Sequence, residues 1–259
     1  MSEQNIIPSV DSSIRLLSLL SKEKFRNATL TQISEELSIS KTTCRRILKT
    51  FEYQEFVKYD KFNKTYSLGP HLIAIGNRAK ELNDYLGIAN SILQDIPNDK
   101  LVFVLVKRVK DSLVYMGKKE PPLKIRLTVS TGDSFPIAAG AIGKCFFAFL
   151  SDKEQNRITK NIYSNNSLPK YTENSITSLD IFNKQIHKIK ETGFSESYEE
   201  YSEGIGAYAV PIFNKDQEII LVLGAYMPLT FMKSLEIPEL KNIMKDTAKQ
   251  ISDAIAHLT

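Results

Sequence analysis

The residues best suited to chemistry lie in one short segment, residues 40–49, where hydroxyl and cationic side chains alternate with apolar ones. Thr42 and Thr43 carry short hydroxyls that can hold a phosphate group and fix the register of the chain against it. Arg45 and Arg46 can each donate two hydrogen bonds to O6 and N7 of a guanine. This combination is typical of a surface that reads duplex DNA.

Positive charge is concentrated in the same part of the chain. Residues 1–80 hold 13 lysines and arginines against 8 acidic residues, whereas residues 81–259 hold 21 against 22, within a net charge of +4. A localised basic excess suits nucleic-acid binding, because contacts to phosphates supply much of the affinity. Charge alone leaves open a solvated helix face that binds nothing.

Two short helices would position these residues. Thr29 followed by Gln32 is a capping-box pattern, and it precedes an apolar stripe over residues 30–37. Ser40 can cap a second helix, which begins after a tight turn at residues 38–39. Two short helices joined by such a turn form a helix-turn-helix.

A β-hairpin should follow the second helix, because residues 56–59 and 64–68 alternate around a turn at residues 60–63. A hairpin in this place is a wing, whose lysines would face the neighbouring phosphates. The alternative is a small helical bundle with a basic face. The predicted DNA contacts are Thr29, Thr31, Ser40, Lys41, Thr42, Thr43, Arg45, Arg46, Lys49, Lys61 and Lys64.

No arrangement of residues predicts catalysis. The three histidines are scattered, and HExxH and GxSxG motifs are absent. Glu199 and Glu200 could form a two-carboxylate site, but solvated or capping glutamates are commoner. Lys144 could form a Schiff base, but a lysine that packs its stem in the fold or binds a carboxylate is commoner. We therefore predict no catalytic residue, no metal site and no cofactor.

The chain is expected to work in the cytoplasm without a membrane. Cys44 and Cys145 form no CxxC pair and are interpreted as reduced thiols. The longest apolar runs, such as residues 101–106 and 219–226, are far shorter than the ~20 residues of a membrane span. Residues 1–8 lack the basic and apolar regions of a signal peptide.

The remainder of the chain mixes strand and helix patterns. A helical rhythm over Pro70–Leu82 predicts a linker between two domains. A sheet with helices on its faces would be an α+β fold. Strands are predicted at residues 101–106, 113–116, 125–129, 207–213 and 219–226, a tight turn at 214–216, and helices at 143–150, 180–192 and 238–257.

Four motifs occur in a fixed order along the chain. They are LTQISEELSISKTTCRRIL at residues 30–48, YSLG at 66–69, Gly132 and Pro136 leading into AGAIGK at 139–144, and the Gly-Phe, Glu-Glu, Gly and Ala-Val-Pro series between 193 and 211. In this order they resemble the IclR-type family of transcription regulators. Ser38 stands at the family's usual glycine, and Ser40 at its frequent proline.

The resemblance implies a winged helix-turn-helix domain over residues 1–69, a linker helix over 70–84 and an effector-binding domain over 85–259, with a sheet similar to GAF and PAS sensors. It also implies an effector site. Alternation places Gly224 and Tyr226 on one side of their strand. The implied lining is Ala141, Ile142, Ser197, Ile205, Ala207, Gly224 and Tyr226.

The effector is expected to be neutral or weakly acidic. Family members that bind small acids often carry an acid, a cysteine and two serines where this chain has Ser197, Ala207, Gly224 and Tyr226. A strongly charged ligand would therefore lack a charged partner among these four. The alternative is a pocket that Tyr226 partly closes.

Together these features predict a regulator that binds double-stranded operator DNA as a homodimer or homotetramer and responds to an unidentified small molecule. Two alternatives belong to other classes. The first is an enzyme with a GAF-like catalytic domain that uses the winged helix only for assembly. The second is a protein-interaction module whose second domain senses nothing.

Overall fold

The computed structural model describes residues 6–97, 100–121, 129–164, 167–232 and 236–258. The chain divides into two units, with the boundary between Asn83 and Asp84. Among the described residues, no helix combines the length and the apolar composition that crossing a membrane requires.

The first unit is a small helical domain with a three-stranded sheet. Its strands pair antiparallel in the order β1-β3-β2, and the expected winged helix-turn-helix is confirmed. The elements are α1 (Pro8–Leu20), a 3-10 turn (Glu23–Phe25), β1 (Ala28–Thr29), α2 (Leu30–Glu36), α3 (Lys41–Tyr53), β2 (Val57–Asp60), β3 (Thr65–Leu68) and α4 (Pro70–Glu81).

Both helix caps expected from the sequence are present. Thr29 Oγ1 accepts a hydrogen bond from the Gln32 amide at 3.3 Å, and Gln32 Oε1 accepts one from the Thr29 amide at 2.8 Å. Ser40 Oγ accepts a hydrogen bond from the Thr43 amide at 3.1 Å. Between the helices, Ser38 has a φ of 55°, a left-handed conformation that strains a residue with a side chain. The Thr29 cap sets where α2 begins, and the turn and the Ser40 cap set where α3 begins.

One face of α3 is buried and therefore turns the other face outward. Cys44, Ile47 and Leu48 are buried in a core shared with α1 and α2. The residues between them in sequence are exposed. This amphipathic pattern anchors α3 and presents its cationic side to solvent.

The second unit is a sheet covered by helices on both faces. Its strands are all antiparallel to their neighbours, in the order β6-β5-β4-β9-β8-β7, which confirms the α+β class. The elements are α5 (Asp84–Asp95), β4 (Val102–Val109), β5 (Ser112–Lys119), β6 (Ser134–Pro136), α6 (Gly140–Ala148), α7 (Asp152–Ile162), α8 (Leu179–Thr192), β7 (Ser195–Tyr198), β8 (Ile205–Phe213), β9 (Ile219–Pro228), α9 (Leu229–Met232) and α10 (Ile237–Ile255).

Each face of this sheet has its own core. On β4, Phe103 and Leu105 join the core that contains α5 and α10. Val104 and Val106, on the opposite side of the same strand, join the core that contains α6, α7 and α8. The continuous apolar sequence of β4 is thus explained by burial on both faces.

Some boundaries and elements differ from the prediction. The helix expected at residues 143–150 runs from Gly140 to Ala148. The strand expected at 125–129 falls mostly on residues 122–128, which lie outside the described residues, and Val129 has no regular structure. Helices α5 and α7 and strands β6 and β7 were not predicted, and α7 shows why: Ile158 and Ile162 are its only apolar residues, too few for a recognisable stripe.

Candidate nucleic-acid interface and effector site

The outward face of α3 collects most of the predicted DNA contacts. Within the described residues, neither Arg45 nor Arg46 forms an ion pair, so both guanidinium groups can bind an external partner. The first turn of α3 contains no acidic residue, which leaves the positive end of its dipole uncompensated. The exposed residues of this face are Lys41, Thr42, Thr43, Arg45, Arg46 and Lys49.

The predicted hydroxyl contacts are of two kinds. Thr29 and Ser40 act first as helix caps, and Ser40 Oγ also donates to Thr43 Oγ1 at 2.9 Å. Thr31 and Thr42 are exposed, and their hydroxyls bond to no described protein atom. The second pair is therefore the freer to bind phosphate.

The wing ends in a loop of four residues, 61–64, which we call the wing tip. Asp60 and Thr65 pair across the base of this loop. Lys61 and Lys64, its first and last residues, are exposed. Phe62, which the sequence analysis did not single out, is 93% exposed. The wing tip thus presents two cations and an uncovered ring.

In the second unit, the predicted effector residues lie on one face of the sheet. Ser197 on β7 is paired with Ala207 on β8, and Ala207 is paired with Tyr226 on β9. Gly224, two residues before Tyr226, faces the same side as expected, since its missing side chain would point at Ile142 of α6. All seven residues therefore lie in the α6-side core or at its rim, namely Ala141, Ile142, Ser197, Ile205, Ala207, Gly224 and Tyr226.

Side chains fill much of the space between α6 and this face. A Cβ atom at Gly224 would lie 2.5 Å from Ile142 Cδ1, so Ile142 is packed directly on the glycine. Tyr226 is 6% exposed, and its ring meets that of Tyr115 edge-on, with the centroids 6.5 Å apart. A ligand in this position would require Ile142 or Tyr226 to move.

Two buried hydroxyls in this region lack a hydrogen bond of normal geometry. The hydroxyls of Ser195 and Tyr226 are buried and form no hydrogen bond of normal geometry with any described residue. Burial raises the pKa of Tyr115 to about 12, and it also raises the pKa of Tyr226. Both phenols keep their protons at neutral pH, so they can offer uncharged donors to a ligand. Buried hydroxyls are usually hydrogen-bonded, so these two are candidates to bind a ligand.

A small cavity of about 30 Å³ adjoins the first turn of α6. It has room for about one water molecule. None of the seven predicted effector residues is part of its wall. The wall is formed by Ile137, Ala138, Ala139, Gly140, Lys144, Ile162, Leu168, Pro169, Tyr171, Ser175, Ile176, Phe182 and Glu200.

Lys144 is held inside the fold. It is 1% exposed, and its Nζ donates to Glu200 Oε1 at 2.6 Å, to Gln185 Oε1 at 2.5 Å and to the Glu196 carbonyl at 2.9 Å. Burial lowers the pKa of Lys144 and raises that of Glu200, while the ion pair opposes both shifts. The expectation that this lysine binds a carboxylate is confirmed.

The adjacent glutamates serve different partners. Glu199 accepts hydrogen bonds from the Gly204 amide at 2.7 Å and from Asn174 Nδ2 at 3.0 Å, whereas Glu200 binds Lys144. The two carboxylates therefore fix a loop instead of facing one reacting centre. In the described part of the chain, no cluster of three or more histidine, cysteine or acidic side chains could hold a metal ion.

Comparison with known proteins matches both units to the family that the sequence motifs resemble. Residues 9–61 match the IclR helix-turn-helix domain, and residues 88–253 match the family described as bacterial transcriptional regulator IclR C-terminal. The HTH-type transcriptional regulator KdgR of Escherichia coli is 26% identical over 95% of this chain and 92% of its own length. The HTH-type transcriptional regulator KipR of Bacillus subtilis is 25% identical over 98% of this chain and 99% of its own.

Solved structures of similar proteins support the same family assignment. An IclR transcriptional regulator from Alicyclobacillus acidocaldarius is 36% identical, with a TM-score of 0.87 over 96% of this chain and 98% of its own. An IclR homolog from Microbacterium hydrocarbonoxydans, complexed with 4-hydroxybenzoate, has the same fold at 14% identity, with a TM-score of 0.75 over 97% of this chain and all of its own. The chain belongs to the IclR family of transcription regulators, which join a helix-turn-helix domain to an effector-binding domain.

Proposed function

We propose that this regulator binds operator DNA as a homodimer or homotetramer, through α3 and the wing, and that a neutral or weakly acidic effector modulates this binding. Residues 1–69 would bind DNA, 70–84 would link the domains, and 85–259 would bind the effector. As a regulator of genes it would work in the cytoplasm, and we assign it no reaction. The observation that carries the proposal is the exposed, unpaired cationic face of α3.

The chemistry of α3 supports binding in the major groove. An α-helix fits this groove, and arginines near its N-terminal end can reach the guanine edges that distinguish base pairs. Arg45 and Arg46 lie in the second turn of α3, beyond the exposed hydroxyl of Thr42. We assign base contacts to the two arginines, and backbone contacts to Lys41, Lys49, Lys61 and Lys64.

The test is DNA affinity with a charge-matched control. Duplexes are selected from a random pool by the wild-type protein, and affinities are measured by fluorescence anisotropy. The double variant Arg45→Ala/Arg46→Ala should lose at least about 30-fold, since each base-reading arginine contributes about 1–3 kcal/mol and the two contributions add to about 2–6 kcal/mol. Lys160→Ala/Lys184→Ala removes the same charge from exposed sites of the second unit and should change affinity less than twofold. Equal losses in the two double variants would refute the assignment of α3.

Assembly is supported by two apolar surfaces of the first unit. On α1 and the residues just before it, Ile6, Ile7, Val10 and Ile14 are each 50–63% exposed, at helical spacing. Helix α4 buries none of its residues, although it carries Leu72, Ile73 and Ile75. A helix that is apolar but uncovered gains little stability from its own chain, so a second copy of the chain is the occupant we propose.

Sedimentation velocity tests this assembly. Val10→Asp/Ile14→Asp should shift the wild-type dimer toward monomer at micromolar concentration and weaken operator binding, because each half-site needs its own winged helix. Ile181→Asp is the control, since Ile181 on α8 is 52% exposed, close to the 50% and 56% of the tested pair. A wild-type protein that sediments as a monomer would overturn the proposal.

The effector site is proposed between the first turn of α6 and the β7-β8-β9 face. The donors available there are the uncharged phenols of Tyr115 and Tyr226 and the hydroxyls of Ser195 and Ser197. No lysine, arginine or acidic residue is among the seven proposed lining residues, which favours a ligand without strong charge. Binding would displace Ile142 from Gly224 or turn Tyr226, and this rearrangement would bias the form that is competent for DNA.

Thermal shift with small probes that differ in charge tests the ligand class. Phenol and small neutral alcohols are compared with oxalate and malonate. We expect stabilisation by members of the first group, reduced in Tyr226→Phe, which keeps the ring and removes the hydroxyl. Stabilisation by the dianions alone would contradict the assignment.

A further inference from the structure

The wing tip carries a large apolar ring that nothing in the chain covers. Phe62 is 93% exposed, and it contacts no other aromatic ring among the described residues. Its neighbour in the hairpin, Tyr59, instead packs on Tyr66, with ring centroids 4.7 Å apart. An uncovered phenylalanine gains no burial energy from folding, so its contribution is expected on contact with a partner.

The loop that presents this ring is held rigidly. Asp60 Oδ1 accepts hydrogen bonds from the Phe62 amide at 2.8 Å and the Asn63 amide at 3.1 Å, and Asp60 Oδ2 accepts one from Asn63 Nδ2 at 2.7 Å. These hydrogen bonds, led by that of the Asn63 side chain, lower the pKa of Asp60 and keep it ionised. The wing tip is therefore preorganised around Phe62.

The charges around the Phe62 ring indicate the chemical class of its partner. Lys58, Lys61 and Lys64 are exposed on the same hairpin, and Asp60, the one acidic residue of the hairpin, already accepts three hydrogen bonds. A cationic rim suits a polyanion, and an apolar centre suits the stacked faces of bases. Proteins that combine lysine or arginine contacts with an inserted phenylalanine use the ring to unstack a base step from the minor groove.

We propose that Phe62 is an apolar wedge that enters the minor groove beside each half-site and partly unstacks one base step, while Lys61 and Lys64 bind the phosphates on either side. This proposal rests on the proposed DNA-binding function and adds a contact that discriminates sequence. Flexible pyrimidine–purine steps cost less to unstack, so the wedge favours operators that carry such a step at the wing position.

The test uses the full-length protein and an operator duplex selected by the wild type. 2-Aminopurine, whose fluorescence rises on unstacking, is placed in turn at each step flanking a half-site. Wild-type protein should raise the fluorescence at one step per half-site. Phe62→Ala should abolish this signal and weaken binding about 10-fold, whereas Phe62→Leu, which keeps an apolar wedge, should retain much of both.

Two further variants separate the wedge from other roles. Phe62→Lys adds positive charge, so it should strengthen binding if the tip acts only through electrostatics and weaken it if the ring is a wedge. Tyr198→Ala removes an aromatic ring that is 43% exposed on β7 of the second unit, outside the proposed DNA-binding surface, and it should leave affinity unchanged. The inference is overturned if no wild-type step brightens, or if Phe62→Ala binds within twofold of wild type while Arg45→Ala/Arg46→Ala shows its expected loss of at least about 30-fold. If Phe62→Ala changed the oligomer without changing DNA affinity, the ring would contact a second copy, and the wedge would be wrong.

Discussion

Removal of Lys144 should destabilise the second unit severely, whereas removal of its charge together with that of Glu200 should not. In Lys144→Met the carboxylate of Glu200, whose side chain is 12% exposed, loses its ion-pair partner. Gln185 Oε1 and the Glu196 carbonyl also lose the donor that they share. Breaking a buried pair from one side costs about 3–5 kcal/mol.

The double variant Lys144→Met/Glu200→Gln removes both charges and keeps similar volumes. Paired replacement of a buried ion pair is often nearly neutral, so we expect a cost at least about 2 kcal/mol below that of Lys144→Met alone. Urea unfolding, followed by fluorescence of the tyrosines and by circular dichroism, measures each free energy. Probes that report on the two units separately are needed, because a two-unit chain can unfold in steps.

The opposite outcome would refute the structural role. If Lys144→Met cost less than about 1 kcal/mol, or if the double variant were as unstable as the single, the pair would not be a mutually dependent buried ion pair. Lys144 would then become a candidate for covalent chemistry, as a lysine that forms a Schiff base with a carbonyl compound. Borohydride trapping with small carbonyl compounds would follow, and we expect it to label nothing at this residue.

Three further perturbations follow from the structure. Gly224→Ala should cost about 1–3 kcal/mol because its Cβ would meet Ile142 Cδ1 at 2.5 Å, and the cost should shrink in the background Ile142→Ala; equal costs in both backgrounds would contradict the packing. Ser38→Gly should raise the unfolding free energy of the first unit by about 0.5–1 kcal/mol. Glycine relieves the left-handed strain at φ 55°, and the greater entropy of the unfolded glycine chain offsets only part of this gain. A loss of stability in urea would show that the turn is unstrained. Hydrogen bonds from Arg157 and Arg108 lower the pKa of Glu154 from 4.5 to about 2, so the stabilisation is complete above pH 4.5 and is lost as the pH falls toward 2; Arg157→Gln should flatten this part of an acid-unfolding profile, and an unchanged profile would count against the network.

The first unit was predictable because its signals are local. The capping residues Thr29 and Ser40 and the turn before Lys64 each act within a few residues of the chain, so their patterns can be recognised without tertiary contacts. The exposure of Phe62 was not predictable in the same way. The hairpin pattern does not tell whether an aromatic residue in its turn is packed or exposed, and the structure shows that Phe62 is exposed.

The second unit depends on contacts between distant segments. Strand alternation correctly placed Gly224 and Tyr226 on one face, but the filling of that face by Ile142 depends on the distance from α6 to β9. Likewise, the sequence favoured a carboxylate partner for Lys144 without identifying Glu200, which lies 56 residues along the chain. Helix α7 escaped prediction because it is mostly polar, and its place is set by packing through Ile158.

The central claim, that α3 reads the bases of an operator, is tested most directly by repeating the selection of random duplexes with single variants. The wild type should yield a consensus of two half-sites related by two-fold symmetry. Arg45→Ala and Arg46→Ala should each relax the preference at a defined position in both half-sites, at guanines if the contacts are bidentate, while the other positions keep theirs. If both variants selected the wild-type consensus unchanged, or if the wild type selected no consensus, α3 would not be the reading element.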